Sequence, residues 1–209
     1  PGGKVWLASV PDYGMWGGPL AYYDPKTEEK KSYYRIVGDG SCYTLAYLEE
    51  EDLIVVGTSI SGGSGTQSKV DQAILFLFDH QKGEKVWEGT LDRTVHHFNS
   101  LVTGVNGRVY GTVRGGEDPA EIFVFDPSPR SFGDRVAAPE GGPVDNGLQN
   151  GRDGMIYGVT GACVYRLDPE TLGTEEIVKF PERLQGHAAA GPIIGDEIYY
   201  SSGHRLLSS

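Results

Sequence analysis

The sequence predicts an all-β fold of the β-propeller type, and three observations carry that expectation. One strand pattern recurs at a spacing of about 40–55 residues, the period of a propeller blade built from several short strands. The 209 residues include 31 glycines and 12 tyrosines against two methionines, a balance suited to strands joined by tight turns. No segment of useful length carries the 3.6-residue period of an amphipathic helix.

Each repeat reads as four strands, A to D. Strand B appears as KVWLAS (4–9), DLIVVGTS (52–59), RVYGTV (108–113), MIYGVT (155–160) and EIYYSS (197–202), centred on Trp6, Val55, Tyr110, Tyr157 and Tyr199. Strand C closes on an aspartate in GPLAYYDPK (18–26), AILFLFDHQ (73–81), EIFVFDPS (121–128) and CVYRLDPE (163–170). Asp24, Asp79, Asp126 and Asp168 are placed to accept backbone N–H bonds in Asx turns. Proline follows three of them and fixes φ for that turn. Recurrence once per repeat makes these carboxylates structural rather than catalytic. His80 stands where the fourth proline would be and is expected at the surface. Asn106-Gly107, Asp153-Gly154 and Gly195-Asp196 separate strands A and B and read as two-residue primed turns. The first full repeat has the polar turn 49–52 there instead.

The whole chain, 1–209, reads as one domain. Its blades cover approximately 4–37 (strands B–D), 41–91, 96–138, 144–181 and 186–209 (strands A–C). That makes four to five four-stranded blades, the first and last incomplete. The expectation is therefore a segment of a larger six- to eight-bladed propeller. Its open strand edges would meet the remaining blades or another copy of the chain. The longest insertion, 59–72, is a polar Gly/Ser loop. Its SGGSGT stretch (61–66) lacks the lysine and the following helix of a phosphate-binding loop.

A net charge of −11 and a pI near 4.8 argue against nucleic acid or an anionic membrane surface as main partner. No run approaches the roughly 18 apolar residues of a membrane-spanning helix. Cys42 and Cys163 match no zinc spacing and are expected as buried free thiols.

Propellers place ligands on the face carrying the D–A and B–C loops. Counting back from the A–B turns brings Cys42-Tyr43, Phe98-Asn99, Asp145-Asn146 and His187-Ala188 to that face. His97, Asn99, Asp145, Asn146 and His187 are thus candidates for a shared channel mouth. The D–A loops add Arg93, Arg183 and Gln185, and the B–C loops add Tyr13, Trp16, Arg114, Glu117 and Asp118. Two readings of His97 and His187 stay open. They act as acid–base catalysts or bind a divalent metal with a carboxylate or amide, or they are channel-lining groups bonded to backbone and water. His96 and His97, adjacent on a strand, point to opposite faces and do not share a metal. Tyr13 and Trp16 on a glycine-rich loop form a candidate saccharide platform, or fill space between blades.

The pattern G-x-[IV]-Y-G followed by [LVF]-x-x-[FLY]-D-P-x-[TS] resembles the bacterial propeller repeats of the PQQ-like, YVTN and Kelch-like superfamily, over the whole chain from Lys4 onward. The tryptophan-docking motif of quinoprotein dehydrogenases is not present, so the resemblance does not imply PQQ. Propeller-type polysaccharide lyases use His, Tyr and Arg on the same face, and His97, His187, Tyr13 and Arg183 or Arg114 stand at comparable places. The pattern is specific for the fold and nearly silent about activity. The first expectation is a ligand-binding module of a carbohydrate-related bacterial protein, secreted or periplasmic, that takes a saccharide or small polar ligand at the channel mouth. The alternatives are part of a sugar lyase or hydrolase, and a non-catalytic protein-interaction scaffold.

Overall fold

The computed structural model describes residues 1–209 and contains β-strands without a helix. No helix is therefore long and apolar enough to cross a membrane. The chain divides into two compact units, Pro1–Phe98 and Asn99–Ser209.

In the first unit, β1 (Val5–Ala8), β2 (Leu20–Tyr23) and β3 (Lys30–Tyr33) form one antiparallel sheet. β4 (Ser41–Leu48), β5 (Leu53–Ser59), β6 (Leu75–Asp79) and β7 (Glu84–Gly89) follow as a second meander. The core gathers Trp6, Leu20, Tyr22, Cys42, Ile54, Val56, Phe76 and Phe78. Trp6 stacks on Tyr33 and meets Tyr22 and Phe78 at ring-centroid distances of 5.1–6.2 Å. β8 (His97–Thr103) begins here, with His97 opposite Ser59.

The second unit carries β8 onward into β9 (Val109–Arg114), β10 (Glu121–Asp126) and β11 (Ser131–Ala137). A four-stranded sheet follows: β12 (Pro143–Asn150), β13 (Ile156–Thr160), β14 (Cys163–Leu167) and β15 (Thr174–Lys179). A three-stranded sheet comes last: β16 (Ala190–Ile194), β17 (Glu197–Ser202) and β18 (Arg205–Ser208). One core gathers Tyr110, Ile122, Leu148, Ile156, Tyr165 and Leu167, and another Val144, Val159, Val164, Ala190, Ile198 and Tyr200. Both cysteines are buried free thiols, and burial pushes the Cys42 thiol up to about 12.

The repeated glycine of strand B has a steric cause. Gly111 lies opposite Phe123 and Gly158 opposite Tyr165 on the neighbouring strand. A Cβ at these glycines would come within 2.4 Å of Phe123 Cε1 and 2.0 Å of Tyr165 Cζ. The aromatic ring of strand C thus lies across the bare backbone of strand B.

The aspartates close strand C as Asx turns. Asp24, Asp79, Asp126 and Asp168 each accept the backbone N–H two residues on, at 2.8–3.1 Å. Four residues beyond each aspartate the chain turns left-handed, at Glu28, Gly83, Arg130 and Leu172 with φ of 55–76°. The backbone bonds hold the Asp24, Asp79 and Asp168 carboxyls below the usual aspartate range.

Two expectations need correction. Asn106-Gly107 and Asp153-Gly154 are not two-residue primed turns, because five residues separate the flanking strands and only the glycines have positive φ. The Asn106 and Asp153 side chains instead accept the N–H of Arg108 and Met155 at 3.2 Å, which holds a wider turn. Gly195-Asp196 alone is a two-residue turn, between the paired Ile194 and Glu197. His80 is not a surface residue, its side chain being 11% exposed. It bonds Asp52 at 2.8 Å, and Asp52 also accepts from Tyr47 at 2.6 Å and from Gln81. With the Tyr47 bond foremost, these donors hold the Asp52 carboxyl at about 2.

Candidate functional site

Three of the expected site residues line one cleft in the second unit. Arg114 closes β9, Asp145 lies near the start of β12, and His187 lies in the connector before β16; all three face a space of about 180 Å³. Glycines share the rest of the wall with Pro143, Val144, Leu184 and Ala188. Gly141, Gly142 and Gly186 take left-handed φ of 65–99°, which a side chain would strain. At Gly141 a Cβ would also strike the Ala162 backbone nitrogen at 2.4 Å.

A break in β12 presents the acidic residue. Pro143 pairs with Thr160 and Leu148 with Gly158, so β12 spends five residues where β13 spends two. Asn146, inside that bulge, is exposed and takes φ of 52°. Asp145 forms a parallel bridge with Ala189 and donates its N–H to the Ala188 carbonyl at 3.2 Å. Its carboxylate accepts the Nδ2 hydrogen of Asn99 at 3.0 Å. Asn99 is 1% exposed, and its Oδ1 is buried without a partner. Asn99 therefore acts from beneath the surface, on Asp145.

Arg114 is exposed and makes no ion pair, whereas Arg108, Arg135, Arg166 and Arg183 each meet a carboxylate. His187 is exposed and makes no hydrogen bond. The cleft can therefore donate through a guanidinium, accept through an oriented carboxylate, and do either through an imidazole.

The remaining candidates lie elsewhere. Arg183 and Gln185 line a neighbouring cleft of about 550 Å³ with Phe180, Tyr200 and Arg205. Arg183 pairs with Glu140 at 3.3 Å, and the Gln185 amide donates to the Arg183 carbonyl at 3.1 Å. Arg205 and the Phe180–Tyr200 stack, with centroids 4.9 Å apart, had no sequence signal beyond residue type. His97, in the first unit, meets the Ser59 hydroxyl at 2.8 Å and the Tyr43 ring edge-on. Tyr13 is 77% exposed, while Trp16 is half-buried under the Lys69 ammonium, 3.4 Å above its ring. No group of three or more His, Cys, Asp or Glu side chains is arranged to hold a metal ion.

The chain matches no family model. It matches no curated protein. Among solved structures, the Dos1 propeller superposes over 98% of this chain with a TM-score of 0.65 at 13% identity. The fold is a β-propeller. The WD40 repeats of RRP9 superpose over 83% of the chain, with a TM-score of 0.57 at 10% identity. The extracellular domain of a putative one-component system from B. thetaiotaomicron covers all of it, with a TM-score of 0.63 at 16% identity. The chain spans 49% of the Dos1 propeller, 47% of the RRP9 structure and 26% of the Bacteroides domain.

Proposed function

We propose that this chain is a ligand-binding segment of a β-propeller module, and that it takes a saccharide or similar polyhydroxylated ligand in the cleft of Arg114, Asp145 and His187. The observation that carries the reading is the pairing of an uncommitted guanidinium with a carboxylate already oriented by a buried amide. A sugar presents donors and acceptors on adjacent carbons, and a site with both roles fixed pairs them without leaving a polar group unsatisfied. The glycine walls expose backbone groups to the ligand at close range.

Binding is favoured over acid–base catalysis because His187 has no hydrogen-bonding partner to set its tautomer and orientation. The likeness to a Bacteroides extracellular domain supports a place outside the cytoplasm. The exposed edge strands β1, with Val5 and Leu7 each 52% exposed, and β18, with Leu206 at 73%, are the places where further blades or a second copy would pair.

Isothermal titration against a panel of neutral and acidic oligosaccharides tests the reading, run with and without chelator so that a contribution from a divalent ion registers. Binding that falls tenfold or more in Arg114→Gln supports it. Binding unaffected by both Arg114→Gln and Asp145→Asn would remove the cleft from consideration.

A further inference from the structure

We propose that Tyr13 is a stacking platform for a pyranose ring, held in place by the glycine loop 61–66 beneath it; the proposal rests on the saccharide-binding reading. The phenol is 77% exposed, yet it does not hang free. Its ring lies against Gly65, where a Cβ would come within 2.8 Å of Cε2 and Cζ. Gly65 also has φ of 79°, so both its conformation and the ring above it call for glycine. One face of the ring is backed by bare backbone and the rest is open to solvent.

The same loop fixes the chain on either side of Tyr13. Gly14 donates to the Ser64 carbonyl at 3.0 Å, and Gly63 donates to the Met15 carbonyl at 2.9 Å. Gly63 approaches so closely that a Cβ would sit 1.9 Å from the Asp12 carbonyl oxygen. A Cβ at Gly62 would sit 2.8 Å from the Met15 carbonyl oxygen. Trp16 anchors the far end through Nε1 to the Gln67 carbonyl at 2.9 Å, beneath Lys69. The SGGSGT segment is thus a bed for an aromatic loop, and Tyr13 is the one ring of that loop left available. Holding the ring in position before binding lowers the ordering cost that an exposed loop side chain otherwise carries. An open phenol face suits the apolar C–H face of a pyranose. Met15, 57% exposed, and Val10, 45% exposed, are the other exposed apolar residues of this loop.

The test titrates the intact chain with neutral tetrasaccharides of gluco-, xylo-, manno- and galacto-configuration, alongside uronic acid oligomers. Four variants accompany it: Tyr13→Ala, Tyr13→Phe, Gly65→Ala and Arg114→Gln. Tyr13→Ala should weaken binding at this first-unit site about tenfold and leave the affinity of the second-unit cleft unchanged, Tyr13→Phe should stay within about twofold, and Gly65→Ala should fall between them because it displaces the ring. Saturation-transfer NMR should show the strongest enhancement at pyranose C–H protons, and Tyr13→Ala should abolish it. Equal affinity in wild type and Tyr13→Ala, with Arg114→Gln still impaired, would overturn the platform and leave the cleft reading standing. Absence of binding to any saccharide by the wild type would overturn both. Tyr13 is a surface residue, so the alanine and phenylalanine pair decides the matter even if Gly65→Ala fails to fold.

Discussion

Asn99 Nδ2 donates to Asp145 Oδ1 across 3.0 Å, linking a side chain 1% exposed to one that lines the cleft. Losing the amide removes a donor that orients the carboxylate, so Asn99→Ala should lower saccharide affinity about tenfold, or ~1.4 kcal/mol. Asn99→Asp places two carboxylates in contact, which raises the pKa of one of them. A carboxyl raised in the folded state stays protonated after its unfolded counterpart has ionised. Stability should then fall as pH rises from about 4 and level off above the raised pKa, with a loss of about 2 kcal/mol at pH 7. Urea melts from pH 4 to 8 read this directly, and a flat difference from wild type would count against the contact.

Gly158 and Tyr165 test the steric account of the repeat. An added methyl would sit 2.0 Å from Tyr165 Cζ, and Tyr165 is 2% exposed with no room to retreat. Gly158→Ala should cost about 2–3 kcal/mol in urea unfolding. The double variant Gly158→Ala with Tyr165→Leu should cost less than the sum of the single changes.

The aspartate turns govern acid stability. Asp24, Asp79 and Asp168 have folded pKa values below their unfolded ones, with backbone N–H bonds as the leading cause. Their contribution is present above the ordinary aspartate range near 3.9 and is lost as pH falls through the depressed values. Asp168→Asn keeps an oxygen acceptor and loses the titration, whereas Asp168→Ala loses both. Thermal midpoints at pH 7 should therefore rank wild type, then Asn, then Ala, and the gap between wild type and Asn should close toward pH 2.

The left-handed position four residues past each aspartate is glycine only at Gly83. Glu28 is exposed with φ of 59°, a conformation that costs a non-glycine residue about 1 kcal/mol. Glu28→Gly should raise stability by about 0.5–1 kcal/mol despite the looser unfolded chain. Gly83→Ala should do the reverse, aided by Tyr33 Cε1 at 3.0 Å from the new Cβ. Chemical denaturation of both variants checks the pair.

The residues alone fix the order of the strands and the turn chemistry that repeats along them. Short apolar runs rich in β-branched and aromatic residues select strands, and an Asx turn is closed by bonds two or three residues apart, so both are legible locally. The cleft was legible in part. Counting registers brought Asp145 and His187 to one face, but Arg114 was placed there only as one loop residue among several. The A–B turns are ambiguous in sequence because Asn-Gly and Asp-Gly serve both a two-residue turn and the wider turn seen here, and the choice depends on the register of the whole hairpin. The rest follows from contacts between distant parts of the chain. Asn99 reaches Asp145 across 46 positions, His80 reaches Asp52 across 28, and Trp16 reaches the Gln67 carbonyl across 51. SGGSGT carries no sign in its own residues that Tyr13 will lie on it. Such contacts come from strand pairing and from packing between segments far apart in the chain, and no local preference along the chain encodes that distance.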